Sequence, residues 1–538
     1  MDHGESDLLL HNGRVVGLAG AARDATAVLV VAGRIRAVGS DEDVRAMAPP
    51  GVPAVDLAGR VVAPGFIDSH LHLLSFGLHL QRLNLIGVKS MVELTRLVRE
   101  RHGSLPAGEW VIGRGWDQDL FAERRYPTRH DLDAAAPDRP VVLTRACGHA
   151  LVANTEALRR AGIGRATADP PGGRIDRDEA GEPTGVLRER AMELITQAIP
   201  KPGAEELKPA LRAAVERAVA AGVTSVHSDD CGTFGFETVL GLYRENLGPE
   251  GLPFRVCVDV SNEVIGDLLA TDLRTGSGDG YVKIGSVKMF ADGSLGAGTA
   301  ALSEPYSDHP ESRGLPVVTP EGLRDQVLRA HRAGMQVAVH AIGDLAIDMV
   351  LNAYEAALAD RPRPNHRHRV IHCQIMRPDQ FGRFARLGVV ADIQPKFITT
   401  DMRWAEQRVG PRRIKTSYAW RTFLEHGIHC AGGSDCPVEP LDPSLGLYSA
   451  VTRQDLDGHP PGGWLPEQRL TAEEALRLFT LGGAYAAFEE EDKGSIEPGK
   501  LGDLVVLDRD PTAVPGEELK EMRVEMTIVG GRVVFQRG

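Results

Sequence analysis

Short apolar runs closed by turn pairs mark both ends of the chain. LLLHNGRVVG (8–17) and AVLVVAGRIRAVG (27–39) open it, and DLVVLDRD (503–510) and MTIVGGRVVF (526–535) repeat the style near its close. Asn12-Gly13 and Gly530-Gly531 suit two-residue hairpin turns, which require positive φ. An isolated two-stranded hairpin is marginal in water. The pattern therefore predicts one small β-sandwich assembled from both termini, residues 1–62 and 489–538, with a larger domain inserted between them.

The period changes inside that larger domain. A helical segment ends at glycine, an apolar residue follows, and a strand-like run comes next. AVAAGVTSVHSDD (218–230), AHRAGMQVAVHAIG (330–343), FARLGVVADIQPKF (384–397) and FLEHGIHCAGGSD (423–435) share this form, with the glycine as a left-handed helix cap. Thr319 with Pro320 marks a helix start, and Thr471 with Glu474 a capping box. Strands alternating with helices build a parallel sheet. Eight strand candidates, 61–67, 223–229, 253–260, 281–291, 335–340, 369–373, 388–394 and 428–433, point to an α/β fold of the (β/α)8 TIM-barrel type. The first strand and its turn fall in 63–85, and the rest of the barrel in 205–488. The gap after the first strand is too long for one crossover. Residues 86–204 are thus an insertion, predicted to cover the barrel mouth. It holds WVIGRGWDQ (110–118), PVVLTRACGHALVAN (140–154) and a hairpin, GGRIDRDEAGEPTG (172–185).

Composition narrows the class. Hydrophobic residues at 42% and charged residues at 25% exclude a disordered or low-complexity chain. No apolar run approaches the roughly 18–20 residues of a membrane helix, and the acidic start MDHGESDLLL lacks the basic region of an export signal. A net charge of −13 without a basic stripe argues against nucleic acid as a partner. Six cysteines (Cys147, Cys231, Cys257, Cys373, Cys430, Cys436) include no CxxC pair and read as reduced, mostly buried thiols of a cytoplasmic protein.

Candidate chemistry gathers at strand ends. His70 and His72, in APGFIDSHLH (63–72), close the first apolar run. Alternate residues of a strand point the same way, so both imidazoles can reach one metal ion. Lys288 in VKMFADGS, His340 in VAVHAIGD, His372 in RVIHCQ and Asp435 in AGGSDCPV end later strands, on the face where barrel chemistry collects. His366 and His368 precede their strand, and His426 and His429 come before or early in theirs, so all four read as structural or solvated. His227, in TSVHSDD, stands nearer the site and is equally compatible with support or with a bland role.

PGFIDSHLH, KMFADGSLG, VHAIGD, IHCQ, GSDCPVEP and EPGKLGDLVVLD together resemble the amidohydrolase superfamily, and within it the amidohydrolase family 3 branch that includes N-substituted formamide deformylases. The resemblance implies that His70 and His72 hold one metal with Asp435, and that His340 and His372 hold a second. It also implies that Lys288, carboxylated on its amine by carbon dioxide, bridges the two. The implied ion is divalent, zinc by resemblance, at one or two per chain, although these donors also accept manganese, iron or cobalt. A desolvated, metal-rich mouth favours the neutral amine that captures carbon dioxide. Only ten of the 61 Lys+Arg residues are lysines, so a lysine here suggests that the amine itself is needed, since arginine effectively keeps its proton.

The implied reaction is hydrolysis of an amide C–N bond, N-formyl or N-acyl, in a small organic molecule. Water acidified by the metal attacks the carbonyl, and Asp435 takes the proton and delivers it to the leaving amine. Trp116, Asp117 and His149 in the insertion, and Asp292 and Ser294 after the Lys288 strand, are candidates to line the substrate pocket. The same barrel could instead serve ester or cyclic amide hydrolysis, isomerisation or decarboxylation, or act as a non-catalytic scaffold. Deamination fits less well, because Ala-Ile-Gly-Asp follows His340 where a glutamate base is wanted. The implied partner is a small-molecule substrate, with neither nucleic acid nor membrane, and self-association into a homo-oligomer is left open.

Overall fold

Eight parallel strands follow one another in chain order in a computed structural model that describes residues 6–18, 24–106, 108–146, 150–170 and 172–538. They are β1 (Phe66–Leu71), β2 (Val223–Ser228), β3 (Arg255–Ser261), β4 (Val282–Phe290), β5 (Gln336–Ala341), β6 (Arg369–His372), β7 (Val390–Ile393) and β8 (Cys430–Gly432). Backbone bonds from Asp435 N to His70 O (2.8 Å) and from His72 N to Cys436 O (2.9 Å) draw the end of β8 onto β1. The result is a nearly closed TIM-type barrel, as the strand–helix alternation predicts. Gly388 ends the helix Pro378–Leu387 in the left-handed conformation, turning the chain into β7. Thr319 caps Pro320–Arg332, and Thr471 and Glu474 form the expected capping box.

Such interiors are commonly filled by branched apolar side chains. This one carries charge. Arg369, on β6 and fully buried, donates from Nε to Asp392 of β7 (3.0 Å), from Nη1 to Asp259 of β3 (3.4 Å) and from Nη2 to the Ser69 carbonyl of β1 (2.5 Å). Ser69 Oγ donates to Asp392 (2.7 Å), and Ser286 of β4 donates its N–H (2.9 Å) and Oγ–H (2.6 Å) to Asp259.

Two smaller sheets are built at the termini, the first from N-terminal strands alone and the second from strands of both ends. One joins Leu8–His11, Ala27–Val31, Arg34–Gly39 and Ala54–Asp56, and the other joins Arg14–Val15, Val61–Pro64, Leu504–Leu507, Val524–Val529 and Arg532–Gln536. Leu10, Val28, Val30, Leu504, Val506 and Ile528 pack in their shared core. Two expectations change here. The apolar run 61–67 is two strands: Val61–Pro64 pairs antiparallel with Leu504–Leu507, and the barrel strand begins only at Phe66. Between them a Cβ on Gly65 would lie 2.4 Å from the Thr224 side chain, so the crossing needs glycine. Asn12-Gly13 is not a hairpin either. Its flanking strands sit in different sheets, Leu8–His11 against Ala27–Val31 and Arg14–Val15 against Val61–Val62. Gly530-Gly531 does close a hairpin.

Residues 78–205 form a second compact unit. Its six-stranded sheet runs Gly173–Arg177, Pro183–Glu189, Ala150–Ala153, Val141–Arg145, Val111–Trp116, Leu83–Asn84. Strand alternation divides its apolar residues between two faces: Val141 and Leu143 join one cluster with Trp116, and Val142 joins the other with Leu151 and Leu187. The five described cysteines are buried and free of disulfides, and Cys147 lies outside the described residues. Among the described residues no helix is long and apolar enough to cross a membrane.

The histidines that precede β6 form a hydrogen-bond chain. His368 Nδ1 accepts from Val337 N (3.0 Å), so its Nε2–H donates to His331 Nδ1 (2.9 Å), and His331 Nε2–H donates to Arg361 O (2.8 Å). His366 Nε2–H donates to Leu387 O (2.7 Å). Burial holds all three imidazoles below the usual histidine range. The unfolded chain protonates them from about pH 6.5 downward while the folded chain resists. Their stabilising contribution is therefore full above about pH 6.5 and is lost as pH falls from there towards the depressed folded values. Replacing His368 with Gln leaves buried partners unsatisfied and costs about 1–3 kcal/mol at pH 7.5. Thermal unfolding across pH should show that deficit narrowing by pH 5.5.

Candidate metal centre

Four barrel strands deliver imidazoles or a carboxylate to one place. His70, at the end of β1, is 1% exposed, and its Nε2 lies 3.5 Å from Asp435 Oδ1. His72 Nε2 lies 3.3 Å from the same oxygen, while its Nδ1–H donates to the Asp229 carbonyl (2.6 Å). His372, ending β6, donates from Nδ1 to Gln394 Oε1 (2.7 Å). His340, in β5, donates from Nε2 to Gly293 O (2.9 Å). The His372 ring centroid is 4.4 Å from that of His340 and 5.6 Å from that of His70. Ligand atoms of His70, His372 and Asp435 all fall within 4.8 Å of one another.

Burial sets the protonation of this group. It holds His70 and His340 well below the usual histidine range and His372 down at about 4, so all three present lone pairs at neutral pH. Burial also opposes a proton on His72, but the Asp435 carboxylate outweighs it and pushes that imidazole up to about 9. Asp435 in turn stays below the ordinary carboxylate range despite its burial, because His72 donates to it. Three neutral imidazoles around an ionised carboxylate, two of them (His340 and His372) with one nitrogen claimed by a carbonyl oxygen, form a donor set that fits a divalent transition ion, which His72 joins on giving up its proton. A buried His70 Nδ1 without a hydrogen-bond partner is compatible with that use of the ring.

Lys288, on β4 and 1% exposed, places Nζ 3.0 Å from Asp229 Oδ2 and 4.5 Å from the centre of the Phe290 ring. Asp229 thus touches the site twice, through its carbonyl and its carboxylate. His227 is the candidate that the sequence offers in that segment, and Asp229 is not among the candidates. The signal available was the placement of SDD just beyond β2, on the chemical face. His227 itself is fully buried inside the barrel, held down at about 3 by burial, and neither ring nitrogen has a hydrogen-bond partner.

Asp68, also absent from the candidates that the sequence offers, ties β1 to the loop after β8. Its Oδ1 accepts from His70 N (3.1 Å) and Ser434 N (3.0 Å), and burial pushes its carboxyl up to about 7. Strain concentrates at the same junctions. His372 (φ 82°), Cys373 (φ 47°) and Asp435 (φ 57°) are all left-handed, a conformation that costs roughly 1–3 kcal/mol at a non-glycine residue. Surrounding bonds hold them, including Cys373 N to Ala341 O (3.2 Å).

The pocket candidates fare differently. Asp292 lies 3.6 Å from His340 Nε2, but its carboxylate already accepts from Ala301 N (2.8 Å), Ile342 N (3.0 Å) and Gly343 N (2.8 Å), and burial pushes it up to about 6. It pins the loop after β4 to the loop after β5. Ser294 Oγ accepts from Ala297 N (3.3 Å) within its own turn. Trp116 belongs to the core of the inserted unit, where its indole N–H donates to Leu143 O (2.8 Å). Asp117 pairs with Arg145 (2.8 Å) in the same unit, and His149 lies outside the described residues. His426 bonds Thr422 O and His429 stacks on Tyr485, both remote from the ligand group.

Comparison with known proteins agrees with this geometry. The chain belongs to the amidohydrolase family, whose match spans residues 54–535. It is 39% identical to YtcJ of Bacillus subtilis over 95% of this chain and 96% of that one. It is 31% identical to the N-substituted formamide deformylase of Arthrobacter pascens, over 99% and 98% of the two chains. A solved structure of a metal-dependent hydrolase from Pyrococcus horikoshii superimposes with a TM-score of 0.79 at 31% identity, covering 95% of this chain and 99% of that one.

The junction of β1 and β8 tolerates no added atom. A Cβ on Gly433 would stand 2.7 Å from His70 N and 3.0 Å from Asp68 Oδ1. Gly433→Ala is expected to displace His70 from Asp435 and weaken divalent-cation binding at least tenfold, measured by competition with a chromophoric chelator.

Proposed function

We propose that the protein is a metal-dependent hydrolase that cleaves the amide C–N bond of N-formyl or N-acyl derivatives of small organic amines. The observation that carries this reading is Asp435. Its carboxylate is buried yet ionised, and a single oxygen lies within 3.5 Å of both His70 and His72. His70, His72 and Asp435 would hold a divalent cation, zinc in this reading, which when bound would supply Lewis acidity and lower the pKa of water at the site. Asp435 then has the position and basicity to accept the proton released by the attacking water and to return it to the departing nitrogen. The likeness to an N-substituted formamide deformylase supports the choice of substrate class.

Lys288 is the residue whose amine would bear a bridging carbamate if a second cation binds at His340 and His372. Asp229, 3.0 Å away, competes for the same amine as an ammonium. Elemental analysis separates the two states. Two cations per chain, falling in Lys288→Ala, would assign the carbamate, and one cation unaffected by that substitution would assign the ion pair.

For the reaction itself, the holoprotein should release formate or carboxylate from N-formyl or N-acyl amines and stop when a chelator is added, with zinc restoring it. Asp435→Asn should lower kcat by about 10²-fold or more. A zinc-loaded protein that hydrolyses no member of an N-formyl and N-acyl amine panel would overturn the proposal.

A further inference from the structure

We infer that Gln394 is a positioning residue for the metal centre, fixing His372 in the tautomer that leaves Nε2 to face the other ligands. This rests on the metal site proposed above, though not on the identity of the substrate. Gln394 follows β7 directly and is 4% exposed, against 5% for His372. Its Oε1 accepts from His372 Nδ1 at 2.7 Å. The amide cannot equally well be reversed, because its Nε2 donates in the opposite direction to Asp392 O at 3.4 Å. A hydrogen atom on His372 Nδ1 is therefore matched to an acceptor inside the barrel, and the neutral ring keeps its lone pair on Nε2.

Geometry gives His372 few other means of orientation. Its backbone is left-handed at φ 82° at the last paired residue of β6, opposite Ala341, so the regular alternation of an extended strand does not set the direction of the side chain. Phe397 stacks on the ring at a 6.0 Å centroid distance and 19° between planes, which limits tilt. Stacking does not choose between nitrogens. Gln394 does. Two residues earlier, Asp392 accepts from Ser69 Oγ beside His70. One strand without a ligand of its own thereby orients a ligand from β6 and the segment of β1 that carries the HxH pair.

The test compares Gln394→Met, which keeps length but removes the strong acceptor, with Gln394→Glu, which keeps an acceptor. Two readouts are used: the ¹⁵N shifts of His372 in metal-free protein, and the zinc dissociation constant from chelator competition. Wild type should show His372 with the proton on Nδ1. Gln394→Met should lose that preference and bind zinc ten- to a hundredfold more weakly, while Gln394→Glu keeps both. Should Gln394→Met fail to fold, the wild-type shifts decide alone, and a proton on Nε2 overturns the inference. Equal zinc affinity in Gln394→Met and wild type, or equal loss in Gln394→Met and Gln394→Glu, also overturns it. A protein that binds zinc as expected here but hydrolyses no amide would refute the proposed reaction and leave this role intact.

Discussion

A single guanidinium inside the barrel holds the rest of the site in register. Arg369 is fully buried, and a charge in that setting is tolerated only when its donors are met by acceptors and its charge by opposite charge. The planar fork of arginine allows this in several directions at once. Here it reaches Asp392 on β7, Asp259 on β3 and the Ser69 carbonyl on β1. Each contact lies just below a residue of the mouth. Ser69 precedes His70, Ser286 on Asp259 lies two residues before Lys288, and Asp392 lies two before Gln394. Sliding any of these strands by one residue would turn its side chains to the other face and strand a buried charge.

Above this layer the metal centre depends on how little room it leaves for protons. Burial keeps His70, His340 and His372 neutral, while Asp435 remains ionised beside His72. Carbonyl oxygens of Asp229, Gln394 and Gly293 each take one imidazole N–H. What remains is the lone pairs of His70, His340 and His372 and one carboxylate paired with His72, bounded by backbone that is itself strained at His372 and Asp435. The strain persists because the loops are bonded to their neighbouring strands, so the ligands are held by the fold before any cation arrives.

The histidines on the opposite end show how much context decides the chemistry of one residue type. His366 and His368 share the HxH spacing of His70 and His72. Their nitrogens are taken by one another's neighbourhood, by His331, Val337 N and Leu387 O. With no carboxylate among those partners they close a structural chain, whereas the first pair meets Asp435.

Local periodicity determined a large share of this. Because strand and helix periods are properties of neighbouring residues, apolar runs with glycine-capped helices between them place seven of the eight barrel strands, and the run 61–67 reaches only the start of the first. The six ligand candidates were legible for the same reason, since a polar residue closing an apolar strand falls on one face of the barrel. Other features needed the chain to be closed in space. Asn12-Gly13 has the composition of a hairpin, but pairing with strands far along the chain sends its two flanks into different sheets. Asp229, Gln394 and Arg369 carry no local mark of their roles. Lys288 was legible as a buried amine at the mouth, and only the approach of β2 beside β3 and β4 set the Asp229 carboxylate against it. Sequence order encodes which way a side chain points along its own strand, and the tertiary structure alone decides what it meets there.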